Sequence, residues 1–510
     1  VALKESDVDS QHADPLRLDA STRAQLWTAV GAAIEAYHQD VSGLDAATMA
    51  RPEEVRRALA RFDFDHPLPP AEAVALAVDA MRRLQPHVLH PRHFGLFDPA
   101  PTAMGVLADA MVAAFNPCLA TWAGSPVGVE TERLLIERFA AVFGYPPDAA
   151  DGTLTSGGSE ANLSGLLLAL AARIPEYRDA GLRRMAADPT VYLTEQAHPS
   201  WLKAVRIAGL GSLAMRVVPA GYTGGMDADE LARLVAADRA AGRLPLVAVA
   251  TAGTTAAGVI DPIQAVAAVA ERFGLWLHVD AAWGGAAMLL PECRPALAGI
   301  ERADSITFDP HKWLSVPIGC GMLLTRHRGA LERTFGVSAT FLAGLDEGAG
   351  ADPFGRSMRW SRDFAGLKLL LSLAVAGWRG YEDVLRRQVR LADRLRDRLL
   401  RDGWRIVNHT VLPVVCFTPA STAPGGDPLA LVAALVNGSG QARVFQVRAG
   451  GQPALRACVT NYATTEADVD LLADLLAAAR ADVDSGTVDA AAVLAAAGRA
   501  PSACGTGPPA

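Results

Sequence analysis

Two hydrophobic rhythms divide the chain. From Leu16 to about Leu84, apolar residues recur at helical spacing, interrupted at the proline-rich turn Phe64-Asp-His-Pro-Leu-Pro-Pro70. From about Pro86 to Trp378, short β-rich runs alternate with helical stretches. The clearest runs are Val191-Tyr-Leu-Thr194, Leu244 to Thr251, Trp276 to Asp280, Ser305 to Phe308 and Gly321 to Thr325. Strand-helix alternation of this kind predicts an α/β domain: a mostly parallel sheet with helices on both faces. Beyond it, Leu385 to Arg401 reads as a strongly charged helix. That helix leads into Arg405-Ile-Val-Asn408 and Leu412-Pro-Val-Val-Cys-Phe417, which predicts a small α+β C-terminal domain. The predicted organisation is a flexible lead over 1–14, a helical segment over 15–85, a large domain over 86–378 and a small domain over 379–484. Residues 485–510, rich in Ala, Gly and Pro, read as a disordered tail.

Three places in the large domain carry chemistry. In Ser305-Ile-Thr-Phe-Asp-Pro-His-Lys-Trp-Leu-Ser315, an apolar run ends in Asp309-Pro310 and delivers His311 and Lys312 beside Trp313. A lysine held by a rigid turn near an aromatic wall suits chemistry with aldehydes, because burial or a nearby cation frees its amine. In Leu275-Trp-Leu-His-Val-Asp280-Ala-Ala-Trp-Gly-Gly285, a buried-strand pattern ends in an aspartate. Ligands of open α/β sheets sit outside the carboxyl ends of strands. Asp280 therefore points at a cleft, and the small residues Ala281, Ala282, Gly284 and Gly285 leave room for a flat ring. A pyridoxal phosphate (PLP) enzyme needs such a carboxylate to keep its pyridine nitrogen protonated. In Thr153-Leu-Thr-Ser-Gly-Gly-Ser159, glycines 157 and 158 make a turn and Ser159 opens a helix whose free N–H groups form an anion site. Each place alone has a plainer reading: a solvated turn lysine, a helix-capping aspartate, an ordinary Gly-turn before a helix. Their order (phosphate turn, ring aspartate, lysine) is what points to a cofactor. Asp280 and Lys312 are 32 residues apart, enough for one crossover between parallel strands.

With these residues the chain resembles the group II PLP-dependent amino-acid decarboxylases, the family of aromatic-L-amino-acid, histidine, glutamate and diaminobutyrate decarboxylases. The resemblance runs from about Asp14 to about Arg480. Its most specific mark is Asp309-Pro-His-Lys-Trp313; others are His90-Pro-Arg-His-Phe-Gly95, Trp122-Ala-Gly-Ser-Pro126, Ala197-His198-Pro-Ser200, Thr251-Ala-Gly-Thr-Thr255, Gly366-Leu-Lys368 and Leu455-Arg-Ala-Cys-Val-Thr-Asn461. It implies a fold type I PLP-dependent transferase-like large domain. Lys312 would hold PLP covalently and later shuttle protons. Asp280 would pair with the pyridine N–H, Ala282 would pack on one ring face, and His198 would stack on the other and touch the substrate carboxylate. Thr251 would bond near the ring's phenolic oxygen or Asp280. Gly158 and Ser159, helped by His311, would hold the phosphate. Asp309 belongs to the same set, although an ionised aspartate cannot donate to a phosphate. Phe97, Trp122 and Arg362 would border the substrate. The resemblance further implies a homodimer, with the N-terminal helices packed across the partner and the active site at the subunit interface.

The cleaved bond must stand perpendicular to the ring plane, and orientation of this kind is worth roughly 7–11 kcal/mol of barrier. Sequence does not show which bond stands upright, so decarboxylation to an amine is what the resemblance implies. No acid-specific cluster stands out, and the reading favours an aromatic or otherwise apolar amino acid. Two departures from the family matter. Aromatic-amino-acid members protonate the carbanion with a loop tyrosine, whereas Gly336 to Trp360 holds no tyrosine and Phe354 stands about where it would fall. Relatives with that change form an aldehyde, ammonia and peroxide, which makes decarboxylation-dependent oxidative deamination the alternative. A fold-retaining binding scaffold is a third reading, opposed by the intact Lys312, Asp280 and His198. In Ser361-Arg362-Asp363-Phe364, Asp363 replaces a cation common in the family, and Arg362 remains available for a carboxylate or for a surface role.

Composition narrows the class. The chain has 510 residues, 51% hydrophobic, enough for a large core and more than one domain. Its net charge of −8, with no basic patch, argues against nucleic-acid binding. No apolar run approaches the about 20 residues of a membrane span, and the start lacks a signal-peptide core. Six scattered cysteines lack paired C-x-x-C spacing, so neither disulfides nor a zinc site is indicated and the cytoplasm is expected. His87, His90 and His93 recur every three residues, but Pro91 breaks any helix that would align them, so no metal is expected.

Overall fold

The alternating region folds around one seven-stranded sheet. The structure, a computed structural model, describes residues 16–97, 99–174, 176–221, 224–337, 352–420 and 428–496. The large-domain strands are β1 (Asp151–Thr155), β2 (Pro189–Leu193), β3 (Met215–Val217), β4 (Leu244–Thr251), β5 (Trp276–Asp280), β6 (Ser305–Phe308) and β7 (Gly321–Thr325). They lie in the order β1-β7-β6-β5-β4-β2-β3. Neighbours from β6 to β3 are parallel, while β7 runs antiparallel to both β6 and β1. The reversal follows from the connection. The chain from Asp309 to Cys320 contains no helix, so it returns as a hairpin rather than crossing over.

All residues of β5, β6 and β7 are buried, so the polar members His278, Asp280, Ser305 and Thr307 lie inside along with the apolar ones. One face packs on a cluster that includes Phe139, Phe143, Phe308 and Trp283. The other packs on Leu166, Leu170, Trp201 and Val205, from the helices Gly158–Arg173 and Ser200–Ile207. The carboxyl ends of β1, β4, β5 and β6 therefore open on one edge of the sheet, between helices.

The small domain pairs β8 (Trp404–Ile406), β9 (Val414–Pro419), β10 (Phe445–Ala449) and β11 (Gln452–Cys458) in the antiparallel order β10-β11-β9-β8. Leu395, Leu399, Phe417, Leu455, Leu472 and Leu476 form its core. The helix Gly366–Arg401 serves both domains and breaks at Gly377, whose φ of 63° and ψ of 173° suit glycine. Leu369, before the break, packs in the large-domain core, and Leu395, after it, in the small one.

At the N-terminal end lie the helices Ala20–Asp40, Pro52–Leu59 and Pro70–Arg83; the first two bury no residue. The expected tail is corrected in part. Ala490–Ala496 is helical and packs on the helix Pro428–Gly438, since an alanine-rich run forms helix readily once it has a surface to dock on. The lead 1–14 and residues 497–510 lie outside the described residues.

Candidate active site

Thr155 ends β1, and the chain turns at once through Ser156, Gly157 and Gly158 into the helix Gly158–Arg173. This turn forms one wall of a cavity of about 350 Å³, together with the ends of β4, β5 and β6. Gly158, Ser159, His198, Thr251, Asp280, Ala282, Asp309, His311 and Lys312 all line it. Gly158 is there for space: a Cβ would stand 2.9 Å from Asp309 Oδ2 and 3.3 Å from the Ala282 Cβ.

Asp309 organises the lysine turn. Its buried Oδ2 accepts from the Gly158 N–H at 3.0 Å and pairs with Lys312 Nζ at 3.0 Å. An aspartate at this position thus anchors the turn and the amine to each other instead of donating to a phosphate. His311 donates from Nδ1 to the Cys320 carbonyl at 2.9 Å, leaving Nε2 on the side of Asp309 Oδ2, 3.9 Å away. The aromatic wall is not Trp313, whose indole N–H donates to Gln388 in the core. It is Trp283, which lines the cavity with Trp313 behind it at 5.9 Å.

Asp280 ends β5 with its side chain buried. Its Oδ2 accepts from Asn162 Nδ2 at 2.8 Å and its Oδ1 from the Ala282 N–H at 3.3 Å. The small residues after it serve the backbone more than a ring. Only Ala282 among them faces the cavity, whereas a Cβ on Gly284 would meet the Ala252 carbonyl at 2.1 Å and one on Gly285 would meet Phe308 at 2.9 Å. His198 Nδ1 accepts from the Ser200 N–H at 3.2 Å. Burial lowers the His198 pKa below its usual value, although Asp280 pulls the other way. The neutral ring therefore carries its proton on Nε2. Thr251 is fixed through its N–H, which donates to Asp261 Oδ2 at 2.7 Å. Its hydroxyl is buried at the cavity with no hydrogen-bond partner among the described residues.

This donor set fits pyridoxal phosphate. A helix N-terminus with a glycine turn suits a phosphate, a buried strand-end carboxylate suits a ring nitrogen, the unpartnered Thr251 hydroxyl suits a ring oxygen, and a lysine reaches the same space.

Four expected substrate-side residues lie elsewhere. Phe97 is one layer back, stacked on Trp283 at 4.2 Å. Trp122 donates from its indole to Glu130 at 3.0 Å and does not line the cavity. Phe354 stacks on Trp360 at 4.5 Å in the 3-10 turn Pro353–Arg356, held by its N–H to the Ala120 carbonyl. The other phenylalanine between Gly336 and Trp360 is Phe341, outside the described residues. Arg362 is neither at the substrate nor at the surface. It is buried and donates to Glu132 Oε2 at 2.6 Å and to the Leu154 carbonyl at 3.1 Å. Asp363 pairs with Arg359, which also holds Glu160 at the cavity edge. Arg362→Ala is expected to leave the buried Glu132 charge unpaired and to destabilise the fold by about 3–5 kcal/mol. Urea unfolding measures this, and a midpoint equal to wild type would refute it.

His87 and His90 turn to separate partners, Tyr37 and the Arg92 N–H. Asn162 was not legible in sequence, although it stands three residues beyond Ser159 and touches Asp280. Trp283 lies directly in the Asp280 motif, where a tryptophan after a strand reads equally well as core.

Sheet, cavity and donor set define a PLP enzyme of fold type I. The pyridoxal-dependent decarboxylase conserved domain matches residues 52–419. Tryptophan decarboxylase 1 of Oryza sativa subsp. japonica is 33% identical over 354 residues, 65% of this chain and 67% of that protein. Cysteine sulfinic acid decarboxylase of Rattus norvegicus is 34% identical over 337 residues, 64% of this chain and 67% of that protein. The crystal structure of Oryza sativa TDC with PLP and tryptamine superposes with a TM-score of 0.86 at 27% identity, covering 92% of this chain and 100% of that one. The chain belongs to the pyridoxal-dependent decarboxylase family, and as such is a PLP-dependent carboxy-lyase acting on an amino acid. Among the described residues, no helix is long and apolar enough to cross a membrane.

Proposed function

We propose that this enzyme decarboxylates an aromatic or otherwise apolar L-amino acid to its amine. The observation that carries the site assignment is the convergence of Lys312, Asp280, His198 and the unpartnered Thr251 hydroxyl on one cavity. When bound, PLP supplies a sink for the electron pair left as carbon dioxide departs. Lys312 Nζ would hold the cofactor and return a proton. Asp280 would serve the ring nitrogen and Thr251 Oγ1 the ring oxygen. Gly158 and Ser159 would bind the phosphate, with His311 beside them, while Ala282 would support one ring face. His198 would cover the other, with its Nε2–H available to steer the substrate carboxylate.

The substrate class is supported by the lining. Trp283, backed by Phe97, gives an apolar wall, and no arginine lines the cavity among the described residues. Arg456 lies behind, its Nη groups committed to the Thr255 and Gly95 carbonyls at 2.6 Å. We further propose a homodimer with the site at its interface and a cytoplasmic setting. The exposed Phe115, Leu107 and Val127 support the first, and the five free thiols among the described cysteines suit the second.

A second reading, oxidative deamination, is favoured by the lack of tyrosine between Gly336 and Trp360. Per carbon dioxide released, it consumes one dioxygen and one water and yields one aldehyde, one ammonia and one hydrogen peroxide. Holoenzyme incubated with aromatic, acidic and sulfinic amino acids, with all products and oxygen read together, separates the cases. Amine equal to carbon dioxide without oxygen uptake, on aromatic substrates, is expected. Turnover confined to acidic or sulfinic substrates would overturn the substrate class, and aldehyde with peroxide would install the second reading.

A further inference from the structure

Behind Asp280, between the sheet and the helix Gly158–Arg173, lies a closed polar network. Asn162, His278, Ser305 and Thr307 are all essentially inaccessible to solvent. Buried polar groups at this depth are costly unless every donor meets an acceptor, and here the matching can be traced atom by atom. The Trp276 indole, which is only a donor, gives its N–H to Ser305 Oγ at 2.8 Å. Ser305 Oγ also lies 2.8 Å from His278 Nδ1. Asn162 Oδ1, which can only accept, faces the other ring nitrogen, and Nδ1 is the one acceptor in reach of the Ser305 hydroxyl proton among the described residues, so Ser305 donates and Nδ1 is the bare nitrogen. Burial keeps the ring neutral, lowering the His278 pKa to about 4 despite the upward pull of Asp280. The His278 proton therefore sits on Nε2, 3.2 Å from Asn162 Oδ1 and 3.1 Å from Thr307 Oγ1. Thr307 Oγ1 donates to the same Asn162 Oδ1 at 2.7 Å.

Two donors thus converge on Asn162 Oδ1, and the amide faces one way only. Its Nδ2 gives one hydrogen to Asp280 Oδ2 at 2.8 Å and the other to Ser200 Oγ at 3.1 Å. A flipped amide would set Oδ1 against a carboxylate oxygen and NH₂ against two donors. Space is reserved for the ring as well: a Cβ on Gly165 would stand 2.6 Å from His278 Nδ1, and Trp201 closes edge-on at 5.1 Å.

We infer that Asn162 is a positioning residue for Asp280, its amide locked as a donor by the Nε2–H tautomer of His278, which Ser305 supports from the far side of the ring with Trp276 holding the Ser305 hydroxyl in place. The inference rests on the proposed role of Asp280 toward the cofactor nitrogen. The Asn162 bond consumes one direction on Oδ2 and fixes the carboxylate plane, so that the remaining lone pairs keep one aim into the cavity.

The test is titration of apo-protein with PLP, followed by the visible band of the bound cofactor and by its pH profile. Asn162→Leu is expected to weaken PLP binding roughly 10- to 100-fold, the range of a lost hydrogen bond to a charged group, and to displace the pH profile of the band. His278→Gln, whose amide can donate where Nε2–H does, is expected to stay close to wild type, while His278→Leu follows Asn162→Leu. Trp276→Phe removes a single N–H and carries the test where Asn162→Leu does not fold, with a loss of about threefold, at the low end for a neutral bond. Wild-type affinity and pH profile in Asn162→Leu or, failing its folding, in Trp276→Phe would overturn the inference, as would equal behaviour of His278→Gln and His278→Leu. Asp280→Ala is the control. If it too binds PLP normally, the site reading falls; if it alone weakens binding, only the Asn162 assignment falls.

Discussion

Lys312→Ala is expected to lower kcat by at least about 10³-fold and to abolish the visible band of the lysine-linked cofactor. Two losses coincide at one atom. Nζ is the covalent holder of PLP in the proposed site and also the group that returns a proton after carbon dioxide leaves, and a positioned proton donor alone contributes roughly 10²–10⁴. The fold is expected to survive with some loss of stability, because Asp309 keeps the Gly158 N–H but loses its ammonium partner. A cooperative unfolding transition, with lost turnover and no cofactor trapped by borohydride, completes the expected result. Retained turnover, or cofactor still trapped elsewhere on the chain, would remove Lys312 from the role.

The site was legible in sequence where chemistry and local chain direction coincide. Asp280 and Lys312 stand at or just beyond the ends of β5 and β6, two strands whose apolar runs mark their own limits. Once those strands are neighbours in a parallel sheet, their ends meet without further information. Gly158 was legible for the same reason, although β1 before it was not. Asp151-Gly-Thr-Leu-Thr155 holds one large apolar side chain and becomes a strand only by pairing with β7. Context dependence of this kind is usual for strands.

What stayed hidden depends on residues far apart in the chain. Arg362 looks like a free cation beside an aspartate, yet its partner is Glu132, and nothing local announces the pairing. Phe354 and Trp122 carry motif-like surroundings, yet their side chains pair with Trp360 and Glu130, and their backbones are tied across the chain, the Phe354 N–H to the Ala120 carbonyl and the Trp122 N–H to Asp352 Oδ1. His278 and Thr307 sit inside apolar strand runs, where a polar residue reads as an interruption. Their function appears only when the helix carrying Asn162 is laid across the strands.

Asp280→Ala is the second change with a large expected effect, a fall in kcat of roughly 10²–10³, the scale of deleting one preorganised electrostatic partner at a reaction centre. Charge decides the size of the effect. A ring that must accept an electron pair does so far better with its nitrogen protonated, and in the proposed site the buried carboxylate of Asp280 would keep it so. Asp280→Asn is expected to be nearly as poor. Its amide keeps the volume but loses the charge, and Asn162 Nδ2, which now donates to Oδ2, either forces the new amide to present oxygen inward or meets a second donor. Neither arrangement leaves an anion for the ring. Asp280→Glu retains the charge on a longer arm and is expected to fall between the two, since the Ala282 N–H and Asn162 fix the shorter carboxylate from both sides. The ordering Asp > Glu > Asn ≈ Ala in kcat, with KM for the amino acid changing less than kcat, is the signature of an electrostatic role at the ring. Asn equal to Asp would mean that the position contributes shape alone.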